Sequence, residues 1–195
     1  MIRDEALRLF ADRGADAVTI REIAAAARVS PALVIRHYRS KDGLREVVDE
    51  YVVRVLEAVL AEVTAGLAVT SARGTMPALA EAVTGRLPSD SPVPAYLGRL
   101  LVSGGPGAAG LFRELHAVSE RTLAGLVREG LADDGGDPRA RAAFLLANDL
   151  AVLILRDRLA EALGADPLSP EGMRRWGAQV LSVYRGGLAG RPDQA

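Results

Sequence analysis

Apolar residues recur along this chain every three to four positions, and no stretch alternates apolar with polar residues as a half-buried strand does. That periodicity constrains the fold more than any other feature and predicts an all-α protein of about nine helices. With 49% hydrophobic and 25% charged residues, the 195-residue chain has material for one sizeable core or two small ones. The longest apolar run, residues 142–155, is interrupted by Asn148 and Asp149 and falls short of the roughly 18 residues a membrane span needs. The opening Met1-Ile2-Arg3-Asp4-Glu5 carries no apolar leader. The expectation is a soluble cytoplasmic protein with no membrane partner.

Caps and breakers divide the pattern into elements. A first helix shows Ile2, Ala6, Leu7, Phe10 and Ala11 on one face and stops at Arg13-Gly14. Thr19-Ile20-Arg21-Glu22 has the form of a capping box, in which the threonine hydroxyl and the glutamate satisfy each other's free backbone N–H groups. The helix it opens carries Ile20, Ile23, Ala24 and Ala27 as a stripe. After a turn at Arg28-Val29, Ser30 caps a short third helix with Pro31 at its first position, where a missing N–H costs nothing. Ser40 then opens a long fourth helix whose stripe runs from Leu44 through Val48, Val52 and Leu56 to Val63, about 30 Å or more in length. Residues 66–74 read as a loop, 77–87 as a helix and 88–94 as a proline-bounded turn. Helices at 95–103 and 110–130 flank the breaker Gly104-Gly105-Pro106-Gly107, and two larger ones, 138–163 and 170–184, close the chain.

A net charge of −1 says nothing of nucleic acid, but the positive charge is unevenly placed. Between Ile23 and Lys41 there is no carboxylate, while Arg28, Arg36, Arg39 and Lys41 are cationic and His37 can become so. Two short helices joined by a tight turn and bordered by such a stripe match the helix-turn-helix that sets its second helix into a DNA major groove. An enzyme is the poorer reading. Cysteine is absent, His37 and His116 are the two histidines, and neither a glycine-rich phosphate loop nor paired metal-ligand spacing occurs, so no catalytic set, metal or cofactor is expected. A helical interaction module without DNA binding is the other alternative.

The succession from Thr19 to Ala27, through the turn, Ser30 to Tyr38 and Ser40-Lys41-Asp42-Gly43-Leu44 resembles the N-terminal region of the TetR family of bacterial regulators, including the Val-Ser before the third helix and the aromatic, basic, Ser-Lys ending. The resemblance implies a DNA-binding unit over 1–45 and a helical ligand-binding and dimerisation unit over 46–195. Val34, Tyr38 and Val29 would face inward. Leu33, Ile35 and Arg36 would face the groove, the aliphatic pair against thymine methyls and Arg36 toward a guanine edge or a phosphate. His37, Lys41 and the capping Thr19 match positions that contact phosphate, and Ser30, Arg28 and Arg39 complete the DNA-facing set. Where relatives often carry threonine, tyrosine and a lysine-glycine pair, this chain has Leu33, Ile35 and Pro31-Ala32. The operator sequence therefore does not carry over. If residues 31–38 were instead a core helix, Leu33 and Ile35 would be packed inside.

For the remainder, the resemblance implies a ligand-responsive repressor that binds a palindromic double-stranded operator as a homodimer formed through the last two long helices. A small, mostly hydrophobic effector would shift the fourth helix and release the DNA. Candidate effector contacts are Leu56, Leu60, Tyr96, Leu100, Phe112, Leu115, His116 and Asn148. Met173, Trp176, Val180 and Tyr184 would stripe the final helix toward the partner, and Asp149 would pair with Arg156 or Arg158 across the dimer.

Overall fold

Each predicted cap is formed. The computed structural model describes residues 1–70, 85, 87–88, 90–104, 106–133 and 135–186, with backbone alone at 63–70, 106 and 181–186. Among these residues there are nine helices and no strand. They are α1 (Ile2–Arg13), α2 (Ile20–Ala26), α3 (Pro31–Tyr38), α4 (Lys41–Thr70), α5 (Val93–Ser103), α6 (Pro106–Arg128), α7 (Pro138–Ile154), α8 (Arg156–Leu163) and α9 (Pro170–Gly186).

The first three helices lie where their sequence signals put them. Gly14 ends α1 at φ 83°, a backbone region that a Cβ disfavours, and returns its N–H to the Phe10 carbonyl. The Thr19 hydroxyl accepts from the Glu22 N–H, and the Glu22 carboxylate accepts from the Thr19 N–H at 2.7 Å. Ser30 accepts from the Leu33 N–H at 3.2 Å, and Ser40 performs the same service for Gly43 at 2.9 Å, starting α4.

Several boundaries differ from the sequence reading, each for a physical reason. Of the expected loop at 66–74, residues 66–70 belong instead to α4, which continues through Gly66 to Thr70, since one glycine costs a helix only about 1 kcal/mol; the rest lies outside the described residues. The helix expected at 77–87 lies almost wholly outside the described residues. Of the expected breaker at 104–107, Gly104 does end α5, but Pro106 and Gly107 form the first turn of α6, where the fixed φ of proline is already helical. The proline-bounded turn likewise yields earlier than expected, since α5 starts at Val93. The single helix expected at 138–163 is two helices, divided at Leu155 (φ −96°, ψ 15°).

One contiguous apolar cluster joins the elements. Phe10, Ile23, Val34, Leu44, Val48, Val52, Tyr96, Leu97, Leu115, Leu146 and Leu150 all belong to it. Full burial of each large aliphatic or aromatic member contributes about 1.5–3 kcal/mol. α4 is the shared strut: its Leu44, Val48, Val52 and Leu56, four apart, give one fully buried row. α1 packs on α4 and α5, α2 packs on α3, and α6 lies between α4 and α7.

The head formed by α1 to α3 is tied to the body by polar contacts as well. Arg99 on α5 donates to the carbonyls of Ala11 (3.0 Å) and Asp12 (2.7 Å), acceptors that the end of α1 leaves free. Arg3 lies 3.7 Å above the Tyr51 ring, joining α1 to α4. Gly98 meets Ile154 so closely that a Cβ would stand 3.1 Å from its methyl, which seats α5 on α7.

Candidate nucleic-acid interface and effector cavity

The third helix divides its side chains as a groove-reading helix must. Val34 is fully buried and Tyr38 half-buried, whereas Ile35 is 44% exposed, Arg36 and His37 are exposed and Leu33 is half-buried. A core helix would have hidden Ile35. Around it stand Arg28, Arg36 and Arg39, all exposed and none held by a carboxylate among the described residues. The His37 ring is tilted against Tyr38, with centroids 6.3 Å apart.

Two of these arginines occupy backbone conformations that side chains disfavour, Arg28 at φ 55° and Arg39 at φ 66°. Arg28 terminates α2: its N–H reaches the Ala25 carbonyl, and the next N–H, of Val29, reaches Ala24. This paired closure is where glycine is usual. At each of these exposed cations the backbone carries strain of about 1–3 kcal/mol that glycine would relieve. The turn ends in a close approach: a Cβ on Gly43 would lie 2.3 Å from the Tyr38 carbonyl oxygen, so α4 can start against the end of α3 only with glycine there.

Lys41 and Thr19, expected at phosphates, are also engaged within the chain. The Lys41 ammonium donates to the carbonyls of Ala15 (3.0 Å) and Asp16 (3.5 Å), binding the connection between α1 and α2 to the start of α4. The Thr19 hydroxyl is engaged with Glu22, whose carboxylate also meets Arg13 at 2.8 Å. The Thr19 hydroxyl and N–H and the Arg13 guanidinium hold the Glu22 carboxyl down at about 2.

In the body, a cavity of about 210 Å³ lies between α4, α6, α7, the 164–169 connection and α9. Of the candidate effector residues, Leu56, Leu60 and Leu115 line it. Five others do not. Tyr96 is buried between α4 and α5 and donates to Asp49 at 2.5 Å, an arrangement in which burial and the carboxylate both push the phenol upward. Burial likewise raises the Asp49 carboxyl. Leu100 packs on the core, and Phe112 lies 39% exposed on the surface. The His116 Nε2 pairs with the Arg139 carbonyl at 3.1 Å, fastening α6 to the start of α7, as the Ser119 hydroxyl does by donating to Ala142. Asn148 is half-buried beside the wall without belonging to it.

Its neighbour Asp149 does line the cavity, along with Met173 and Trp176, residues the sequence reading gave to the dimer. A carboxylate inside an apolar run was the available signal for Asp149. The arginines assigned to it are engaged within the chain, Arg156 with Asp166 at 2.9 Å and Arg158 with Glu161 at 2.7 Å. Arg99, an ordinary arginine in the sequence, gave no signal of its role. Tyr184 lies outside the residues whose side chains are described. No group of three or more metal-ligating side chains occurs among the described residues, and no helix there is long and apolar enough to cross a membrane.

Comparison with known proteins bears on both regions. Residues 2–48 match the model of bacterial regulatory proteins of the TetR family, and residues 89–189 match that of the tetracyclin repressor-like C-terminal domain. The HTH-type transcriptional regulatory protein RaaS of Mycobacterium tuberculosis is 38% identical over 144 residues, which are 74% of this chain and 64% of the relative. The match thus spans less than two thirds of that protein's length. Among solved structures, the fatty acid degradation regulator FadR of Bacillus halodurans superposes with a TM-score of 0.61 at 14% identity, over 96% of this chain and 98% of that one. Thermus thermophilus FadR, a TetR-family repressor solved with lauroyl-CoA, gives 0.56 at 22% identity, over 100% and 96%. At these identities the two structures speak for the fold.

Proposed function

The chain belongs to the TetR family, and from that premise we propose that it is a DNA-binding transcriptional repressor, not an enzyme, acting in the cytoplasm as a ligand-responsive homodimer on a palindromic operator. The observation that carries the reading is the exposed face of α3, where Ile35 and Arg36 stand clear of the core amid cations that have no carboxylate partner among the described residues. In this reading Arg36 and the aliphatic Leu33 and Ile35 read bases. Arg28, His37 and Arg39 hold phosphates, with the caps Thr19 and Ser30 and the Lys41 staple presenting them.

Dimerisation is supported by a second stripe on α7. One side of the helix buries Ala142, Leu146, Leu150 and Leu153, while Ala147, Ala151 and Leu155 (48% exposed) lie exposed on the other, with Phe144 61% exposed on the same side. Such a row on a water-soluble chain calls for a partner surface, and a two-fold pair of heads fits half-sites about one DNA turn apart. The interface proposed is α7 and α9 against their copies. The effector is mostly apolar, which accords with the cavity wall and with the acyl compound bound by Thermus thermophilus FadR. Because α4 forms part of that wall and also begins at the end of α3, an effector preferring one placement of α4 would change the spacing of the two heads.

The test is an electrophoretic mobility shift on the DNA flanking the gene, followed by selection from a random-sequence library. Retention as a dimer, weakened in Arg36→Ala, is the expected result. No retention on either DNA would leave a helical interaction module as the surviving reading.

A further inference from the structure

Among the described residues the cavity wall is apolar with one charged exception. Leu56, Leu60, Leu115, Leu146, Met173 and Trp176 supply hydrocarbon and aromatic surface, and Asp149 supplies a carboxylate. No donor or cation among the described residues meets that carboxylate, since Arg156 and Arg158 are turned to Asp166 and Glu161. Asp149 is open by surface area, yet apolar surroundings push its carboxyl up to about 6. A carboxylate without a counter-ion among the described residues, set in an apolar wall, is matched by a cation that brings its own hydrocarbon.

Resting on the reading of this chain as a ligand-responsive regulator, we propose that the cavity takes a compact apolar monoamine, its ammonium bound to Asp149 and its hydrocarbon body laid against Leu60, Leu115, Met173 and Trp176. One carboxylate, with no second charged side chain in the wall among the described residues, matches a single positive charge. A volume of about 210 Å³ limits the body to a short chain or one ring, below the ~300–1,000 Å³ of drug-sized sites. A neutral alcohol of equal length forfeits the charge-assisted bond, and a carboxylate ligand meets like charge.

Trp176 is the one tryptophan of the chain and lies in the wall, so its fluorescence reads occupancy without reference to DNA. Titration at pH 7.5 with n-octylamine, n-octanol and octanoate should give an amine affinity about tenfold or more above that of the alcohol, with octanoate weakest. Asp149→Asn should bring the amine down to the alcohol and leave the alcohol unchanged; Asp149→Leu, with circular dichroism as the check on folding, should do the same. Equal binding of amine and alcohol by the unaltered protein, preference for octanoate, or no response of Trp176 to any of the three would overturn the proposal. The amine is then added to the protein–DNA complex. Occupancy at Trp176 with DNA still retained upholds the site and refutes the regulatory reading, whereas absence of DNA binding at the outset refutes the regulator alone.

Discussion

Arg28 shows how a single residue carries a local conflict. Its φ of 55° is one that glycine adopts freely, so Arg28→Gly should raise stability by about 0.5–1 kcal/mol, net of the entropy glycine adds to the unfolded chain. In thermal denaturation that is a Tm increase of about 1–4 °C. DNA affinity should fall in the same variant, and a variant gaining stability with affinity unchanged would remove Arg28 from the phosphate contacts. Glu22 makes a second residue-level prediction. Its folded carboxyl, held near 2, lies below its ordinary 4.5, so its contribution is present in full above pH about 4.5 and is lost as pH falls toward 2. The Tm difference between the unaltered protein and Glu22→Gln should therefore shrink steadily across that interval, and a constant difference would mean that the carboxylate is not what the cap depends on. Thr19 and Glu22 were legible in the sequence because both partners of a capping box lie within one helical turn. The Lys41 contact was not, because its acceptors, Ala15 and Asp16, come from another element.

At the scale of elements, the start of α4 against the end of α3 rests on Gly43. Gly43→Ala sets a Cβ against a backbone carbonyl that no rotamer change can move, so the expected outcome is a loss of about 1–3 kcal/mol. Circular dichroism melts measure the loss, and DNA retention should disappear before global helicity does. An alanine variant as stable as the parent would show that α3 and α4 can shift apart freely. The helices α1 to α3 were readable to within a residue or two because caps and breakers are local. The division of residues 138–163 at Leu155 was not, for neither glycine nor proline stands there. What accompanies it is remote: Arg156 reaches Asp166 across the turn after α8, and the Asp166 carbonyl lies so close to Gly172 that only a glycine fits at the start of α9.

For the whole molecule, the cations around α3 predict a salt-dependent complex. If four to six phosphates are neutralised per dimer, the log of the affinity should fall against the log of salt concentration with a slope of about −4 to −5. A flat response would remove the electrostatic footing of the DNA reading. Leu155→Arg adds a charge to the exposed row of α7 without touching the head. It should convert dimer to monomer in sedimentation and abolish operator retention together; a dimeric Leu155→Arg protein would relocate the interface.

The sequence by itself determined the all-α class, the head and its caps, and the outward face of α3, since these depend on residues within a turn or two of one another and on a helical period. Tertiary structure alone decided which apolar residues became wall and which became core. Leu56, Leu60 and Leu115 border the cavity while Tyr96, Leu100 and His116 fasten helices, although all six looked alike as apolar-face positions. The same holds for Asp149, whose surroundings come from α4, α6 and α9, and for Arg99, whose acceptors belong to α1. Periodicity fixes which side of a helix turns inward, but what it meets there depends on how elements distant in the chain are packed together.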